Sequence, residues 1–473
     1  MQCSFSPRKV RSLPLGIATV QPQAPVDFFS GLSSGEQKPA RGPGNLKLEI
    51  GLRWTMVSVL FFLLAFFMLF QVAEMLLAWS WYAWRSMQPA SASTTKLPNV
   101  AVILSLRGAD PSLARCINAA MSQDYEPYTL HIIVDSSCDP AWAVVKAALA
   151  EHSPSSQARV HLRTELDCYR SLKLSAQRQV LTTLDDSTEV IAFLDADCIP
   201  STTWLRHMIA PLADERVGAA TGIRWSAPLD RSWGTLARHV FNALAFPKMF
   251  LYRIPWGGSL AMRRTVLFQT GLLERWACSL GEDTSTYGVL RASGLRLAFV
   301  PGATQVNTET TDLQGAYYFM LRQLVSARVH HIHWPLMMTM TLAAIASVLI
   351  CCILAIAGIA AIVLANAQAC VLTKFAIIPA SYFTATVAAL LIADALVRRY
   401  GHAPPYFVSL PRLIVAVAIG IYEASYAMCT APRIPMIEWR GITYDILGKN
   451  RIHMRAYRPY PNSDGAASTQ SVV

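Results

Sequence analysis

The sequence predicts an α/β domain inserted between membrane-spanning helices. The chain of 473 residues is 53% hydrophobic and only 15% charged, an apolar share above that of most water-soluble domains. Long runs without charged side chains flank the middle of the chain on both sides. Residues 98–334 between them alternate short β-rich runs with helix-forming stretches, a pattern typical of a mostly parallel sheet covered by helices.

The first transmembrane helix is predicted over residues 53–84. Thr55–Ala73 carries no charge, and Trp79 and Trp81 follow it as part of an aromatic belt. A buried core helix is the alternative, but every face of this run is apolar and its length fits a bilayer. Residues 1–52 are rich in Pro, Gly, Ser and Gln without hydrophobic periodicity, so we expect a disordered tail there.

Two further transmembrane helices are predicted over residues 335–397. Pro335–Thr373 has no charged side chain, and Ala376–Val397 carries only Asp394 near its end. Each run is long enough to cross about 30 Å of hydrocarbon as an α-helix.

A last apolar segment contains an acidic residue. Leu413–Thr430 contains Glu423 near its middle, where a charge in the hydrocarbon core is costly. For residues 398–436 we therefore expect a loop with a re-entrant or interfacial segment in preference to a third C-terminal transmembrane helix. Residues 437–473 form a tail whose Trp and Arg residues are also typical of a membrane interface.

Charge and cysteine content exclude two classes of protein. The net charge is +11, but Lys and Arg are scattered and form no basic stripe with interleaved aromatic residues, so nucleic acid is not a predicted partner. Anionic lipid headgroups or a nucleotide diphosphate explain the excess equally well. The ten cysteines have no Cys-x-x-Cys spacing, which argues against a zinc site or a disulfide framework.

The sharpest local signal is a pair of carboxylates at the end of a buried strand. The apolar run Val190–Leu194 is followed at once by Asp195, a small residue and Asp197. Mg²⁺ or Mn²⁺ prefers carboxylate oxygens and leaves coordination positions for diphosphate oxygens. An isolated pair of this kind would more often be a helix N-cap, but the preceding strand and further acidic residues favour the metal.

Two more acidic positions follow turns or strand ends. Asp135 comes after the strand-like Ile132–Val134 and could hold the uridine or ribose of a nucleotide. Glu282 and Asp283 follow the turn residue Gly281 and could place a carboxylate beside an acceptor hydroxyl. For an adjacent Glu-Asp pair, a solvated surface position is the alternative.

Taken together, these pieces resemble glycosyltransferase family 2, and within it the ceramide glucosyltransferase-like membrane enzymes. The residues that carry the resemblance are, in order, Leu104–Asp110, Gln123–Tyr125, Asp135, Ser171–Lys173, Asp195–Asp197, Ile254–Ser259 and Glu282–Asp283. The resemblance implies a Rossmann-like GT-A domain, the fold of transferases that use nucleotide-diphospho-sugars, between the transmembrane helices.

The resemblance also implies a role for each matched residue. Asp283, assisted by Glu282, would be the catalytic base, and Asp195 with Asp197 would hold Mg²⁺ or Mn²⁺. The remaining expected contacts are Asp135, Lys173, Asp195 and Arg107 with the donor, and Trp256, Gly257, Gly258 and Gln323 with the acceptor. For Lys173 and Trp256, an exposed cation and a packed aromatic residue remain the respective alternatives.

One motif of the related enzymes is incomplete in this chain. Many of them carry Gln-x-x-Arg-Trp near the end of the domain; here Gln323 matches, but Ser326 and Ala327 replace the Arg and Trp. Arg322 or Arg328 would then supply the cation for the leaving diphosphate. Arginines of a helix that leads into a membrane also occur for interfacial reasons, so that alternative stays open.

The resemblance therefore predicts a membrane-bound inverting glycosyltransferase that moves a hexose to a lipid hydroxyl. UDP-glucose is the expected donor, and the partners are the nucleotide sugar, a membrane lipid acceptor and the bilayer. We expect an integral, multi-pass membrane protein whose catalytic domain faces the cytoplasm, where nucleotide sugars are made. A polysaccharide synthase of the same fold is one alternative and a catalytically inactive membrane scaffold is another, although a scaffold should have lost its carboxylates.

Overall fold

The computed structural model describes residues 43–88, 97–152, 157–364, 370–401 and 403–460. Two units are distinguished, residues 1–58 and 59–473. In the first unit the described residues form the beginning of a helix at Pro43, inside the segment for which the sequence predicted disorder. Leu, Lys and Glu in this stretch favour helix, and Pro43 is tolerated in a first turn. The rest of the predicted disordered tail, residues 1–42, lies outside the described residues.

Helices and short strands alternate through the middle of the chain, as the sequence predicted. The helices in the described ranges are α1 (Pro43–Ser86), α2 (Leu113–Met121), α3 (Pro140–Ala150), α4 (Leu172–Leu181), α5 (Trp204–Ile209), α6 (Trp233–Tyr252), α7 (Arg264–Gln269), α8 (Leu272–Arg275), α9 (Thr286–Ala292), α10 (Leu313–His330), α11 (Trp334–Val363), α12 (Cys370–Thr373), α13 (Ile377–Tyr400) and α14 (Leu410–Thr430). The strands there are β1 (Val100–Leu106), β2 (Tyr128–Val134), β3 (Ala158–Leu162), β4 (Val190–Leu194), β5 (Val217–Thr221), β6 (Arg224–Ser226), β7 (Ser259–Arg263), β8 (Arg296–Phe299), β9 (Gln305–Asn307), β10 (Met436–Trp439), β11 (Ile442–Gly448) and β12 (Arg451–Met454).

Among the described residues, four helices are long and apolar enough to cross a membrane. They cover Thr55–Ser86, Trp334–Val363, Val371–Tyr400 and Leu410–Arg433. The last of these contains α14, a continuous helix in which Glu423 is buried on the face that also holds Gly420 and Ala427. Length and composition do not distinguish an interfacial from a spanning helix, so the interpretation of residues 398–436 stays a prediction.

A seven-stranded mixed sheet forms the centre of the domain and confirms the predicted α/β class. Its strand order is β3-β2-β1-β4-β7-β5-β8. The first four strands are parallel, whereas β7 runs antiparallel to both β4 and β5. The sequence did not predict β7, because Ser259–Arg263 is short and has no β-branched residue.

The strand directions bring the predicted polar residues to one edge of the sheet. In the parallel register Leu106 lies beside Val134, and Leu104 lies beside Leu194. Residues that follow β1, β2 and β4 therefore emerge on the same side. Because β7 is antiparallel, its first residue, Ser259, pairs with Leu194, so the turn before β7 reaches this edge as well.

Apolar side chains cover both faces of the sheet. Along β4 the buried residues alternate, with Phe193 in the cluster that includes α4 and α6 and Leu194 in the cluster that includes α2 and α5. Both side chains are almost fully buried, and each contributes about 1.5–3 kcal/mol by leaving water. The sheet is thus a rigid platform for the residues at its edge.

A small antiparallel sheet of β10, β11 and β12 follows α14. Arg440 and Gly441 join β10 to β11 and both have positive φ, 53° and 72°, the backbone that a tight hairpin turn requires. The hydroxyl of Tyr444 accepts a hydrogen bond from the backbone N–H of Leu172 at 3.1 Å. This contact fixes the C-terminal sheet beside the start of α4.

Candidate active site

Lys173 connects two of the predicted acidic residues. It lies in the first turn of α4, where Ser171 caps the helix by accepting from the backbone N–H of Leu174. Its Nζ donates to Asp195 Oδ1 and to Glu282 Oε1, at 2.6 Å each. The side chain of Glu282 is 1% exposed and that of Lys173 15% exposed. Lys173 is therefore a partly buried link between two carboxylates and not the exposed cation of the alternative interpretation.

Asp283 joins the same group through the backbone of the Trp256–Gly258 turn. Its Oδ2 accepts from the backbone N–H of Gly257 at 3.1 Å. An ideal Cβ on Gly257 would lie 2.3 Å from Glu282 Oε1, and one on Gly258 would lie 2.6 Å from Asp195 Oδ2. Only glycine fits between these carboxylates at both positions.

We call Lys173, Asp195, Glu282 and Asp283 the lysine cluster. Burial raises the pKa of Glu282, and the nearby Asp283 and Asp195 carboxylates raise it further, against the opposing effect of Lys173. Burial disfavours the charged form of Lys173, but Asp195 and Glu282 outweigh burial and raise its pKa. Lys173 is consequently a fixed positive charge at the centre of the cluster.

Asp197 lies in a second, arginine-rich group. Its Oδ2 accepts from Arg224 Nη2 at 2.7 Å, while its Oδ1 is buried and has no hydrogen-bond partner within the described ranges. Burial works against ionisation, yet Arg224, supported by Arg440 and Arg238, holds the pKa of Asp197 below its usual value. The carboxylate is thus ionised, and one of its oxygens has no hydrogen-bond partner among the described residues.

Phe319 of α10 is a shared surface for three guanidinium groups. The guanidinium carbons of Arg224, Arg238 and Arg322 lie 5.0, 5.1 and 5.7 Å from the centre of its ring. Such distances are typical of cation–π contacts. Arg440 completes this group, which we call the arginine cluster, and its own guanidinium makes two 2.8 Å bonds to Asp110.

Sequence reasoning missed most of the arginine cluster. Arg224 and Arg238 belong to no motif, because they are brought together by β6 and α6 and not by spacing along the chain. Trp256, which the resemblance assigned to the acceptor, is 8% exposed, and its ring centre lies 5.8 Å from the guanidinium carbon of Arg224. The Trp256 side chain thus links the turn before β7 to the arginine cluster.

The structure separates the two arginines offered for the diphosphate. Arg322 makes no hydrogen bond or ion pair with any residue in the described ranges, and burial together with Arg224 and Arg440 lowers its pKa to about 10. Arg328 instead donates to the carbonyls of Ala431, Pro432 and Ile434, at 2.7 Å each. Arg322 is therefore free to bind an anion, whereas Arg328 stabilises the turn that follows α14.

Gln323 is half-buried next to Arg322 on α10. Adjacent residues of a helix point about 100° apart, so the two side chains face different directions. No hydrogen bond joins Gln323 to either cluster among the residues described. Its predicted acceptor contact stays a prediction.

Arg107 and Asp135, which follow β1 and β2, contact each other. Arg107 Nη1 donates to Asp135 Oδ2, and Arg163 Nε donates to Asp135 Oδ1 at 2.8 Å. The hydroxyl of Tyr457 donates to the same Oδ1 at 3.1 Å. Asp135 is 4% exposed. These two of the four predicted donor-binding residues are thus side by side at the ends of β1 and β2.

No group of three or more His, Cys, Asp or Glu side chains in the described ranges is arranged to hold a metal ion. Asp195 and Asp197 offer two carboxylates, and the unpaired Oδ1 of Asp197 is a free hard ligand. Mg²⁺ sites in phosphate-transfer enzymes often use one or two carboxylates and take other ligands from substrate phosphates and water. The two residues therefore fit a cation that arrives with a diphosphate.

Comparison with known families decides the class of this protein. The family described as Glycosyl transferase family 21 matches residues 60–452. The chain belongs to this family. Membership confirms the predicted transferase class, and the α/β sheet among candidate membrane helices agrees with the predicted GT-A domain. The individual roles assigned to residues of this family 21 chain stay predictions.

Individual relatives are more distant. The chain is 32% identical over 81 residues to a ceramide glucosyltransferase of Pyricularia oryzae, a match that covers 16% of this chain and 16% of that protein. The predicted resemblance to ceramide glucosyltransferases is found over this matched part, and the match spans about a sixth of the relative's length.

Two solved structures are also similar to the chain, at low sequence identity. The mannosyltransferase PcManGT from Pyrobaculum calidifontis, in complex with GDP-Man and Mn²⁺, is 18% identical with a TM-score of 0.40, over 78% of this chain and 99% of that one. A glucosyl-3-phosphoglycerate synthase from Mycobacterium tuberculosis, with Mn²⁺ and UDP, is 16% identical with a TM-score of 0.32, over 49% of this chain and 80% of that one.

Proposed function

We propose that this family 21 chain is a membrane-bound inverting glycosyltransferase that moves a hexose from a nucleotide sugar to a lipid hydroxyl. UDP-glucose is the proposed donor. The observation that carries the proposal is the lysine cluster, in which Lys173 holds Asp195 and Glu282 beside Asp283. Three carboxylates around the partly buried Lys173, next to the arginine cluster, suit a reaction that separates a sugar from a diphosphate.

The arginine cluster is the proposed position of the diphosphate. Arg322 has no anionic partner among the described residues, and Arg224 and Arg238 lie beside it on Phe319. Fixed guanidinium groups in a buried site stabilise the charge that develops on a leaving group without reorganisation during the reaction. A Mg²⁺ or Mn²⁺ ion held by Asp195 and Asp197 would, when bound, neutralise part of that same charge.

Asp283 is the proposed base, and Glu282 has a supporting role. Glu282 is buried and bonded to Lys173. Asp283 instead accepts from the backbone N–H groups of Gly257 and Thr284, next to the Trp256–Gly258 turn where the acceptor is proposed to bind. The acceptor oxygen attacks the anomeric carbon as its proton passes to Asp283. The bond from that carbon to the diphosphate oxygen breaks, and the nucleoside diphosphate leaves. A single displacement of this kind inverts the anomeric configuration.

The lipid nature of the acceptor is proposed from the helices around the site. The Trp256 turn follows α6, and α6 packs against α14, one of the helices that could cross a membrane. The domain lies between α1 and α11, which are also candidate spans. We infer that the domain faces the cytoplasm, because nucleotide sugars are made there. We also infer that the acceptor reaches Trp256 from the bilayer.

The proposal is tested by incubating membranes that contain the chain with a panel of radiolabelled nucleotide sugars. Extraction into organic solvent should recover label as a lipid with one sugar, from UDP-glucose in preference to other donors. Membranes with Asp283→Asn are the control and should give none. Label in a water-soluble or insoluble polymer would favour the polysaccharide synthase, and an absence of any product would favour the inactive scaffold.

Arg322→Gln is expected to raise the KM for the nucleotide sugar and to lower kcat, because a charge-assisted contact to the diphosphate is lost. Together the two changes should lower kcat/KM by about tenfold to a hundredfold. Stability should change little, since Arg322 makes no hydrogen bond to the described residues. Arg328→Gln is the matched control. It removes three hydrogen bonds to the end of α14 and should lower the thermal midpoint while the KM of the folded enzyme is unchanged. The reverse pattern would assign the diphosphate to Arg328.

A further inference from the structure

The nucleoside end of the proposed donor site is covered by the chain itself. Residues 455–460, which we call the strap, follow β12 and pass over Arg107 and Asp135. Arg107 Nη2 donates to the carbonyl of Arg458 at 2.9 Å, and Arg107 Nε donates to the carbonyl of Arg440 at 3.0 Å. The guanidinium at the end of β1 is thus held by two backbone carbonyls from the C-terminal part of the chain.

Aromatic rings of the strap occupy the space above this guanidinium. The guanidinium carbon of Arg107 lies 5.6 Å from the ring centre of Tyr457 and 5.0 Å from that of Tyr460. Arg163 lies 4.5 Å from the Tyr457 ring on its own side. The Tyr460 hydroxyl is only 3.0 Å from where a Cβ on Gly108 would be. The strap therefore packs directly on the strand ends where a nucleoside would bind.

Asp135 has no surface left for a ligand in this arrangement. It is 4% exposed, and Arg107, Arg163 and Tyr457 donate to its two oxygens. A nucleoside that hydrogen-bonds to Asp135 must replace one of these three donors. The two guanidinium groups are charged and bind a carboxylate more strongly than a neutral hydroxyl does. Tyr457 is therefore the partner that is released at the lowest cost.

We propose that the strap closes the nucleoside subsite and that an incoming nucleoside displaces the Tyr457 hydroxyl from Asp135. This inference rests on the proposed function, since it takes Asp135 as a contact of the donor nucleoside. Only molecules with an open strap bind the donor, so the apparent Kd equals the Kd of the open form divided by the fraction of molecules that are open. It also selects for a nucleoside that offers a hydroxyl or N–H group to Asp135, because only such a group replaces the bond that Tyr457 gives up.

The test measures UDP and GDP binding to the purified full-length chain in detergent with Mn²⁺, by calorimetry. Tyr457→Phe keeps the ring and removes the hydroxyl that competes for Asp135, so the Kd of the better-bound nucleotide should fall by about fivefold to tenfold. Tyr460→Ala removes a second contact of the strap and should change the Kd in the same direction. Tyr318→Phe, an exposed residue on α10, is the control and should bind like the wild type.

Hydrogen exchange supplies a second measurement on the unaltered chain. Saturating UDP or GDP with Mn²⁺ should speed exchange in peptides that contain residues 455–460 and slow it at the ends of β1 and β2. A Tyr457→Phe chain that binds nucleotide equally or more weakly, or a strap that becomes more protected, overturns the proposal and makes the strap a fixed wall. A wild-type chain that binds neither nucleotide at millimolar concentration defeats the proposed function, and this inference with it.

Discussion

Asp283→Asn is expected to abolish sugar transfer while nucleotide binding remains close to that of the wild type. The amide keeps the size of the side chain and can still accept from the backbone N–H of Gly257, so the turn before β7 should be preserved. It loses the hydrogen bond from the backbone N–H of Thr284 and the ability to take the acceptor proton, and the second loss costs about a hundredfold to ten-thousandfold in rate. Initial rates of lipid glycosylation and UDP titration, both on purified protein, measure the two effects separately.

The exposed Asp186 offers a matched control for this change. Asp186→Asn makes the same chemical substitution far from the lysine cluster and should leave both rate and binding unchanged. Turnover within threefold of wild type in Asp283→Asn would remove Asp283 from the role of base. A loss of nucleotide binding equal to the loss of rate would make it a donor ligand instead.

Lys173→Met is expected to have the largest effect on stability together with a loss of donor binding. The substitution leaves Asp195 and the 1% exposed Glu282 without their shared cation. Removing one partner of a buried ion pair costs about 3–5 kcal/mol, because the remaining charge stays buried. The free energy of unfolding in urea and the Kd for UDP with Mn²⁺ report the two consequences.

The pH dependence of this loss identifies Glu282 as its source. Without Lys173 the pKa of Glu282, already raised by burial, should rise further, because the one group that lowered it is gone. When folding raises the pKa of a carboxyl, the protein is most stable below the pKa of that group in the unfolded chain. This stability is lost as the pH rises through the pKa of the group in the folded protein. Lys173→Met should therefore be more destabilised at pH 8 than at pH 5.

A second substitution separates charge from packing. Adding Glu282→Gln to Lys173→Met removes the unpaired buried charge and should recover part of the lost stability, mainly at pH 8. Recovery that is equal at both pH values would assign the effect to packing. An Lys173→Met chain as stable as wild type would contradict the buried cluster altogether.

Sequence reasoning succeeded where the signal is local. β4 has the predicted bounds, because it is an apolar run that ends at polar residues. The positions of Asp135 and Asp195 at one sheet edge follow from the parallel strands that carry them. Parallel order was enough to predict that these carboxylates lie at the same edge of the sheet, but not which cation each of them contacts.

Other features depend on packing that no pattern encodes. Lys173 and Glu282 are 109 positions apart, and their contact exists only once α4 and the turn before α9 lie on the same sheet. Arg322 and Arg328 are on one helix, six residues apart, and face different neighbours about 120° apart around its axis. The contact of the strap with Asp135 likewise joins residues 322 positions apart.

The anomeric configuration of the lipid product tests the central claim most directly. Purified chain, an α-linked nucleotide sugar and a lipid extract should give a glycolipid whose anomeric proton, measured by NMR, has the large coupling of a β-linked glucose. That result is the one expected from direct attack by a lipid hydroxyl with Asp283 as base. An α-linked product, or sugar recovered only in water, would contradict a single displacement onto lipid at this site.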